Sequence, residues 1–456
     1  MPTSLLPTIY EAADQLRAGS LRSLELVEHC LARIERFEDR VRAWVSVDAD
    51  GARTQARELD DQLRAGRWRG RLHGIPIGIK DIVDVAGSPT LAGSRLRAGH
   101  RAVRDATLVA RLRAAGAVIL GKTVTTEFAC FDPPPTRNPW NLTRTPAGSS
   151  SGSAAAVALG MCLAAIGSQT GGSITRPAAY CGVAGCKPSY GRVSVRGVIP
   201  LAFHLDHPGP LARDVADLAV MLSALAGYDP TDPHSVDVPT ADYVAEPARE
   251  TPPRVAVLNG FFVEAASAEV RGAVLAALTK LRAAGAAMID VLPPESFAVV
   301  IAHHRRIMAV EAAAYHRDNF PERRSEYGPQ IAALLDEGLS VSASDYAAAL
   351  EHRERFTRDV ETLLAGYDTL LTPAATTTAP GPETTGDGRF NAPWSYVGLP
   401  TVSFPCGIAA DGLPVGLQFV GRRWGEGPLF AVAQWCERAV GFSALSPLLA
   451  ECAASG

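Results

Sequence analysis

Apolar positions change their spacing along this chain, and each change marks a predicted element. Leu24, Val27, Leu31 and Ile34 recur at helical spacing, with Ser20 or Ser23 placed to cap the helix. A second helix is predicted from about Asp50 to Leu63, closed by Gly66, so residues 1–65 read as a helical N-terminal part. At Ile75, Ile77 and Ile79 the period falls to two, which predicts a strand ending at Lys80-Asp81. Asp105 to Ala115 reads as a short amphipathic helix stopped by Gly116, and Ala117 to Leu120 as an apolar strand. Ser153 to Leu159 is predicted helical and Met161 to Ile166 a buried strand. Strand, helix and strand follow at Val255–Leu258, Val270–Ala284 and Met288–Leu292. Long helices are predicted over 298–319 and 343–365, and a strand over Asp368–Leu371. The alternation implies an α/β fold, a large mixed and mostly parallel sheet sandwiched between helices.

Two stretches break the pattern. Residues 229–253 carry six prolines, from Pro230 to Pro253, and read as a surface excursion joining two halves of the chain. Residues 372–393 are rich in Thr, Pro and Gly, and a loop of that length often forms a lid or a pocket rim. No repeat divides the sequence, so 1–456 is read as one domain with a core over 66–210.

Composition narrows the function. With 47% hydrophobic and 20% charged residues the chain is neither disordered nor collagen-like. A net charge of −4 offers no general attraction to nucleic acid or anionic lipid. The longest apolar run, Ala154 to Gly167, is too short to span a bilayer, and no secretory signal is visible. A soluble, cytoplasmic protein is therefore expected, with no nucleic-acid or membrane partner. The eight cysteines are scattered and lack His at ligand spacing, so buried thiols are expected, with no zinc site, metal or other cofactor. Of 44 basic residues only four are lysines, Lys80, Lys122, Lys187 and Lys280. Lysine can lose its proton in a protein and arginine cannot, so these positions attract attention.

Two familiar motifs match in letters and fail in context. Gly116-Ala-Val-Ile-Leu-Gly121-Lys122-Thr123 fits a phosphate-binding loop, yet a helix precedes it and its middle is strand-forming. Gly148-Ser149-Ser150-Ser151-Gly152 fits a nucleophile elbow. Pro139 and Pro146 deny it the preceding strand, and the last histidine is His352, with 104 residues still to come.

Amide hydrolysis without a metal needs a nucleophile, a proton acceptor that later donates, and hydrogen-bond donors for the oxyanion. Ser168-Gln-Thr-Gly-Gly-Ser173 supplies two of these, since its glycines let backbone N–H groups converge beside the Ser173 hydroxyl. Four further runs accompany it: Gly74-Ile-Pro-Ile-Gly-Ile-Lys80-Asp81, Ala147-Gly-Ser-Ser-Ser-Gly-Ser153, Cys181-Gly-Val-Ala-Gly-Cys-Lys-Pro188 and Gly398-Leu-Pro-Thr-Val-Ser-Phe-Pro-Cys-Gly407. Asp368-Thr-Leu-Leu-Thr-Pro373 and Leu413-Pro-Val-Gly-Leu-Gln418 join them. Together these runs resemble the amidase signature family, over about residues 8–440.

The resemblance implies a Ser-cis-Ser-Lys triad: Ser173 as nucleophile, Ser149 as bridging serine with a cis peptide, and Lys80 as base. It also implies that Thr170, Gly171, Gly172 and Ser173 offer backbone N–H groups to the oxyanion. A lysine base must be neutral, so burial has to lower its pKa from about 10.4. The end of an apolar strand suits that, although in isolation Lys80 would equally read as an ion pair with Asp81. Lys122 and Lys187 match family positions too and are read as structural. The chain departs from the family pattern with Ala147, Ser151, Gln169 and Thr175, the last two beside the catalytic loop. Arg176 is a candidate for binding a substrate carboxylate, or for tying the loop to a backbone carbonyl.

The expected activity is that of an amidohydrolase cleaving a linear, non-peptide C–N bond in a small or medium amide, aryl amide or carbamate. The alternative is the glutaminase chain (the A subunit) of a tRNA-dependent glutamine amidotransferase. Gln169, Thr175 and the short stretch after the family core weigh toward the hydrolase. The expected partner is a small-molecule substrate, with a homodimer as a possible assembly.

Overall fold

The computed structural model describes residues 6–244 and 249–454. Its centre is an eleven-stranded sheet. In chain order the strands are β1 (Trp44–Val47), β2 (Pro76–Lys80), β3 (Val118–Thr123), β4 (Ala164–Gln169), β5 (Ala184–Lys187), β6 (His207–Ala212), β7 (Arg254–Leu258), β8 (Ala287–Val291), β9 (Thr369–Pro373), β10 (Thr401–Ile408) and β11 (Pro414–Val420). In space they run β1-β3-β2-β4-β6-β5-β10-β11-β9-β7-β8.

The sheet is mixed. β3, β2 and β4 pair in parallel, as do β9, β7 and β8, each block with its crossover helices. Between the blocks the pairs from β4 through β6, β5, β10 and β11 to β9 are antiparallel. The crossovers bury both faces of the parallel strands inside the sheet, while β8 at its edge stays partly exposed. Accordingly every residue of β2, β3 and β4 is buried.

Most predicted elements are present. The helices at Ser23–Val41, Ala49–Arg64, Thr107–Ala114, Ala268–Ala283, Val300–His316 and Ala343–Leu364 lie where apolar spacing puts them. Three differences have physical causes. β1 interrupts the helical N-terminal part: Arg42, at φ 56°, closes the preceding helix, and four residues are too few for a period of two to register. β4 lies three residues later than its apolar run, because its polar end, Ser168-Gln169, is buried and hydrogen-bonded. β6 contains Pro208 and Pro210, which argue against a strand. Spaced two apart, they leave their missing N–H groups on one side of the strand, and pairing with β5 is confined to Leu211 and Ala212.

Residues 229–244 hold no helix or strand, and only Asp229, Asp232 and Tyr243 among them are buried. Asp229 accepts from Thr107 Oγ1 and Ser194 Oγ, and Asp232 from the Val195 amide, which fastens the start of the stretch to the body. Residues 245–248 of the predicted excursion lie outside the described residues.

Candidate active site

Lys80 ends β2 with no exposed surface. Successive side chains at a strand end face opposite ways, so Lys80 and Asp81 separate. Asp81 forms its ion pair with Lys122 Nζ at 2.8 Å, both buried. The ion pair that would explain Lys80 in isolation is thus formed by the next lysine along the sheet. Lys80 Nζ lies instead 2.6 Å from Ser149 Oγ, 2.9 Å from Ser168 Oγ and 3.1 Å from Ser150 Oγ. All three neighbours are hydroxyls, which donate as readily as they accept, so the cluster suits a neutral amine. Burial pushes the Lys80 pKa down to about 7, with the Asp206 carboxylate opposing.

Ser149 precedes the Ser151–Ala158 helix, and the Gly148–Ser149 peptide bond is cis. A side chain on Gly148 would meet the methyls of Thr126 and Thr385 at 2.8 Å, which accounts for glycine there.

Residues 170–174 link β4 to the Thr175–Cys181 helix. Side chains from four other segments hold this strap. The Thr170 hydroxyl donates to Asp206, whose other oxygen accepts from the Leu201 and Ala202 amides. Gln169 Oε1 accepts from the Ile174 and Thr175 amides at 2.9 and 3.0 Å, while its Nε2 donates to Ser395 Oγ. Ser395 Oγ donates in turn to the Gly171 carbonyl, and His304 Nε2 lies 2.9 Å from the Thr170 carbonyl. Gly172 sits against Asn391, where an added Cβ would come within 2.5 Å of Oδ1. The amides of Gly171, Gly172 and Ser173 have no acceptor among the described residues. Unpaired N–H groups in succession form a concavity suited to an anion.

Thr170, Gly171, Gly172 and Ser173 line a cavity of about 500 Å³. Its other walls are largely apolar, with Phe131, Phe261, Ile301 and Met308. The loop after β9 contributes Asp387, Gly388 and Arg389, so it is a rim of this pocket. The Ser173 hydroxyl has no side-chain partner among the described residues, while its carbonyl accepts from the Ser150 amide at 3.3 Å.

Arg176 is 3% exposed and also lines the cavity. Its Nη2 donates to the Gly148 carbonyl at 2.9 Å, and its Nε has no partner. It therefore ties the start of the Thr175–Cys181 helix to the turn that carries Ser149. Lys187 is buried and donates to the Leu399 carbonyl, away from the cavity. The cavity thus gathers the strap and Arg176, while Lys80 and Ser149 pair with each other and are not among its lining residues. His304, Ser395 and Asp206 join them without any local sequence signal.

The family model for amidases matches residues 25–430. The chain belongs to the amidase family. A protein of Mycobacterium tuberculosis that bears the name amidase AmiD is 39% identical over 452 residues, covering 96% of this chain and 95% of that one. The A subunit of a glutamyl-tRNA(Gln) amidotransferase from Anaeromyxobacter is 40% identical over 473 residues, covering 94% of this chain and 96% of that one. Among solved structures, the native peptide amidase of Stenotrophomonas maltophilia superposes with a TM-score of 0.86 at 32% identity, covering 97% and 98%. The amidase signature resemblance read from the motifs therefore holds, and so does the expected α/β architecture. Family membership makes the protein a hydrolase acting on carbon–nitrogen bonds. No described helix is long and apolar enough to cross a membrane.

Proposed function

We propose that the protein is an amidohydrolase that cleaves a linear, non-peptide amide, aryl amide or carbamate through an acyl-enzyme on Ser173. The observation that carries this reading is the buried contact of 2.6 Å between Lys80 Nζ and Ser149 Oγ, without a carboxylate on the lysine. On this reading Ser173 Oγ attacks the substrate carbonyl carbon. Its proton passes to Ser149, whose own proton goes to the neutral Lys80 amine. The oxyanion rests on the amides of Gly171, Gly172 and Ser173, with Thr170 at the edge of the strap. When the tetrahedral intermediate collapses, the C–N bond breaks and the leaving amine takes the proton back along the same path. Water then attacks the ester, releases the acid and restores Ser173.

Apolar cavity walls favour a substrate with a hydrophobic or aryl group. The amidotransferase reading draws on the relatives of that class, and Gln169 and Thr175 weigh against it. Purified protein assayed on aliphatic amides, anilides, carbamates, amidated peptides and glutamine decides between them. Turnover of anilides or carbamates, lost in Ser173→Ala, is expected. Glutamine hydrolysis alone would favour the amidotransferase reading, and turnover of amidated peptides alone would move the substrate class.

A further inference from the structure

In a trans peptide unit the C=O and N–H lie in one plane and point in opposite directions, so a group that fixes the carbonyl also aims the amide proton. Two consecutive units of the strap are fixed in this way. The Thr170 carbonyl, in the unit that carries the Gly171 N–H, faces His304 Nε2 at 2.9 Å. The Gly171 carbonyl, in the unit that carries the Gly172 N–H, accepts from Ser395 Oγ at 3.0 Å. Both of those N–H groups are without an acceptor, and both residues line the cavity.

We infer that His304 and Ser395 are positioning residues that hold the oxyanion donors of Gly171 and Gly172 in their reactive direction. The inference rests on the serine mechanism proposed above. A carbonyl oxygen only accepts, so His304 must carry a proton on Nε2. Burial pushes its pKa down to about 4, so it works as a neutral donor at neutral and alkaline pH. Its place on the Val300–His316 helix gives the strap a rigid prop. A donor on the carbonyl also polarises the peptide and strengthens its N–H as a donor. Ser395 is itself held by Gln169 Nε2, so the glutamine that departs from the family pattern feeds the same device. An aspartate at that position would have no N–H to offer Ser395.

The test compares His304→Ala, His304→Gln and Ser395→Ala with the wild type in the full chain. Two readouts are used: kcat and KM on an amide that the wild type turns over, and the rate at which a fluorophosphonate labels Ser173. The second readout needs no substrate. Loss of one oxyanion donor outright costs ~100- to 1,000-fold in kcat. Misaiming one is expected to cost about 10- to 100-fold in kcat for His304→Ala, with KM within about twofold and an unchanged pH midpoint. Labelling should slow in parallel. Gln places an N–H near the position of Nε2, so His304→Gln should recover most of the loss. A kcat unchanged in His304→Ala, a loss that falls on KM, or a Gln variant no better than Ala would overturn the inference. Ser173→Ala runs alongside: activity that survives it overturns the serine mechanism itself, whatever His304 does.

Discussion

Asp81 and Lys122 form a wholly buried ion pair at 2.8 Å, and Lys80, one residue from Asp81, has no carboxylate at that distance among the described residues. Two buried lysines on adjacent strands therefore have different partners. Burial lowers the pKa of both, but Lys122 has a carboxylate at ion-pair distance that opposes the shift, whereas Lys80 is surrounded by hydroxyls.

The two should respond oppositely to the same substitution. Lys122→Met leaves the Asp81 carboxylate buried and unpaired, a change that typically costs about 3–5 kcal/mol. Lys80→Met removes a buried amine that burial disfavours and leaves hydroxyls that can bond to one another. Thermal unfolding should show a large drop for Lys122→Met and little change or a gain for Lys80→Met. Activity in the second should fall by at least about 1,000-fold, as expected when one member of a concerted unit is removed. Equal destabilisation by both would contradict this division of roles.

The pH dependence follows from the same amine. Burial pushes the Lys80 pKa down to about 7, and in the proposed mechanism its neutral form accepts the proton. The rate, as kcat/KM, should therefore rise through pH 7 and level off on the alkaline side. Lys80→Arg keeps the charge but cannot deprotonate, and it should be inactive across the whole range. Activity in Lys80→Arg, or a maximum near pH ~5, would remove lysine as the base.

Arg176 joins the Thr175–Cys181 helix to the Gly148 carbonyl while lining the cavity. A hydrogen bond from a charged donor to a buried carbonyl contributes about 1.5–3 kcal/mol. Arg176→Leu should thus slow a neutral anilide and a carboxylate-bearing amide alike and lower the melting temperature. A loss of at least about 2 kcal/mol confined to the acidic substrate would make Arg176 a specificity residue instead.

What was legible in the sequence was legible because it is contiguous. Lys80, Ser149 and Ser173 each sit in a run of small and apolar residues whose order carries the resemblance, and the structure gathers all three runs at one end of β2 and β4. The helices were legible because an amphipathic face repeats over many residues. β6 was not, since its two prolines oppose the local rule and pairing with β4 along all six residues, helped by β5 at Leu211 and Ala212, sustains it. His304 and Ser395 reach the strap across 134 and 224 positions, and a single polar residue on a helix gives no periodic signal. Asp81 and Lys122 likewise find each other across two strands, so the reading of Lys80 beside Asp81 in isolation pairs the wrong lysine.

Stability should depend on pH at a site remote from the cavity. Glu437 is half-buried beside the Asp214 and Asp217 carboxylates, and among the described residues only the Val215 amide donates to its carboxylate. Burial first, and Asp214 second, push its carboxyl up to about 8 from an ordinary 4.5. Between those two values the folded protein holds a proton that the unfolded chain has released. More protons bound in the folded state means that stability falls as pH rises across that window. A tenfold change in proton affinity between the two states corresponds to about 1.4 kcal/mol. Glu437→Gln keeps the shape and an acceptor for Val215 but has no proton to lose. Its melting temperature relative to wild type should therefore climb steadily from about pH 5 to about pH 8. Using the difference between variant and wild type removes the contributions of remote groups such as Lys80, which titrate alike in both proteins. Melting curves in matched buffers give the result directly. A difference that stays flat, or shrinks, with rising pH would mean that Glu437 is ionised in the folded protein.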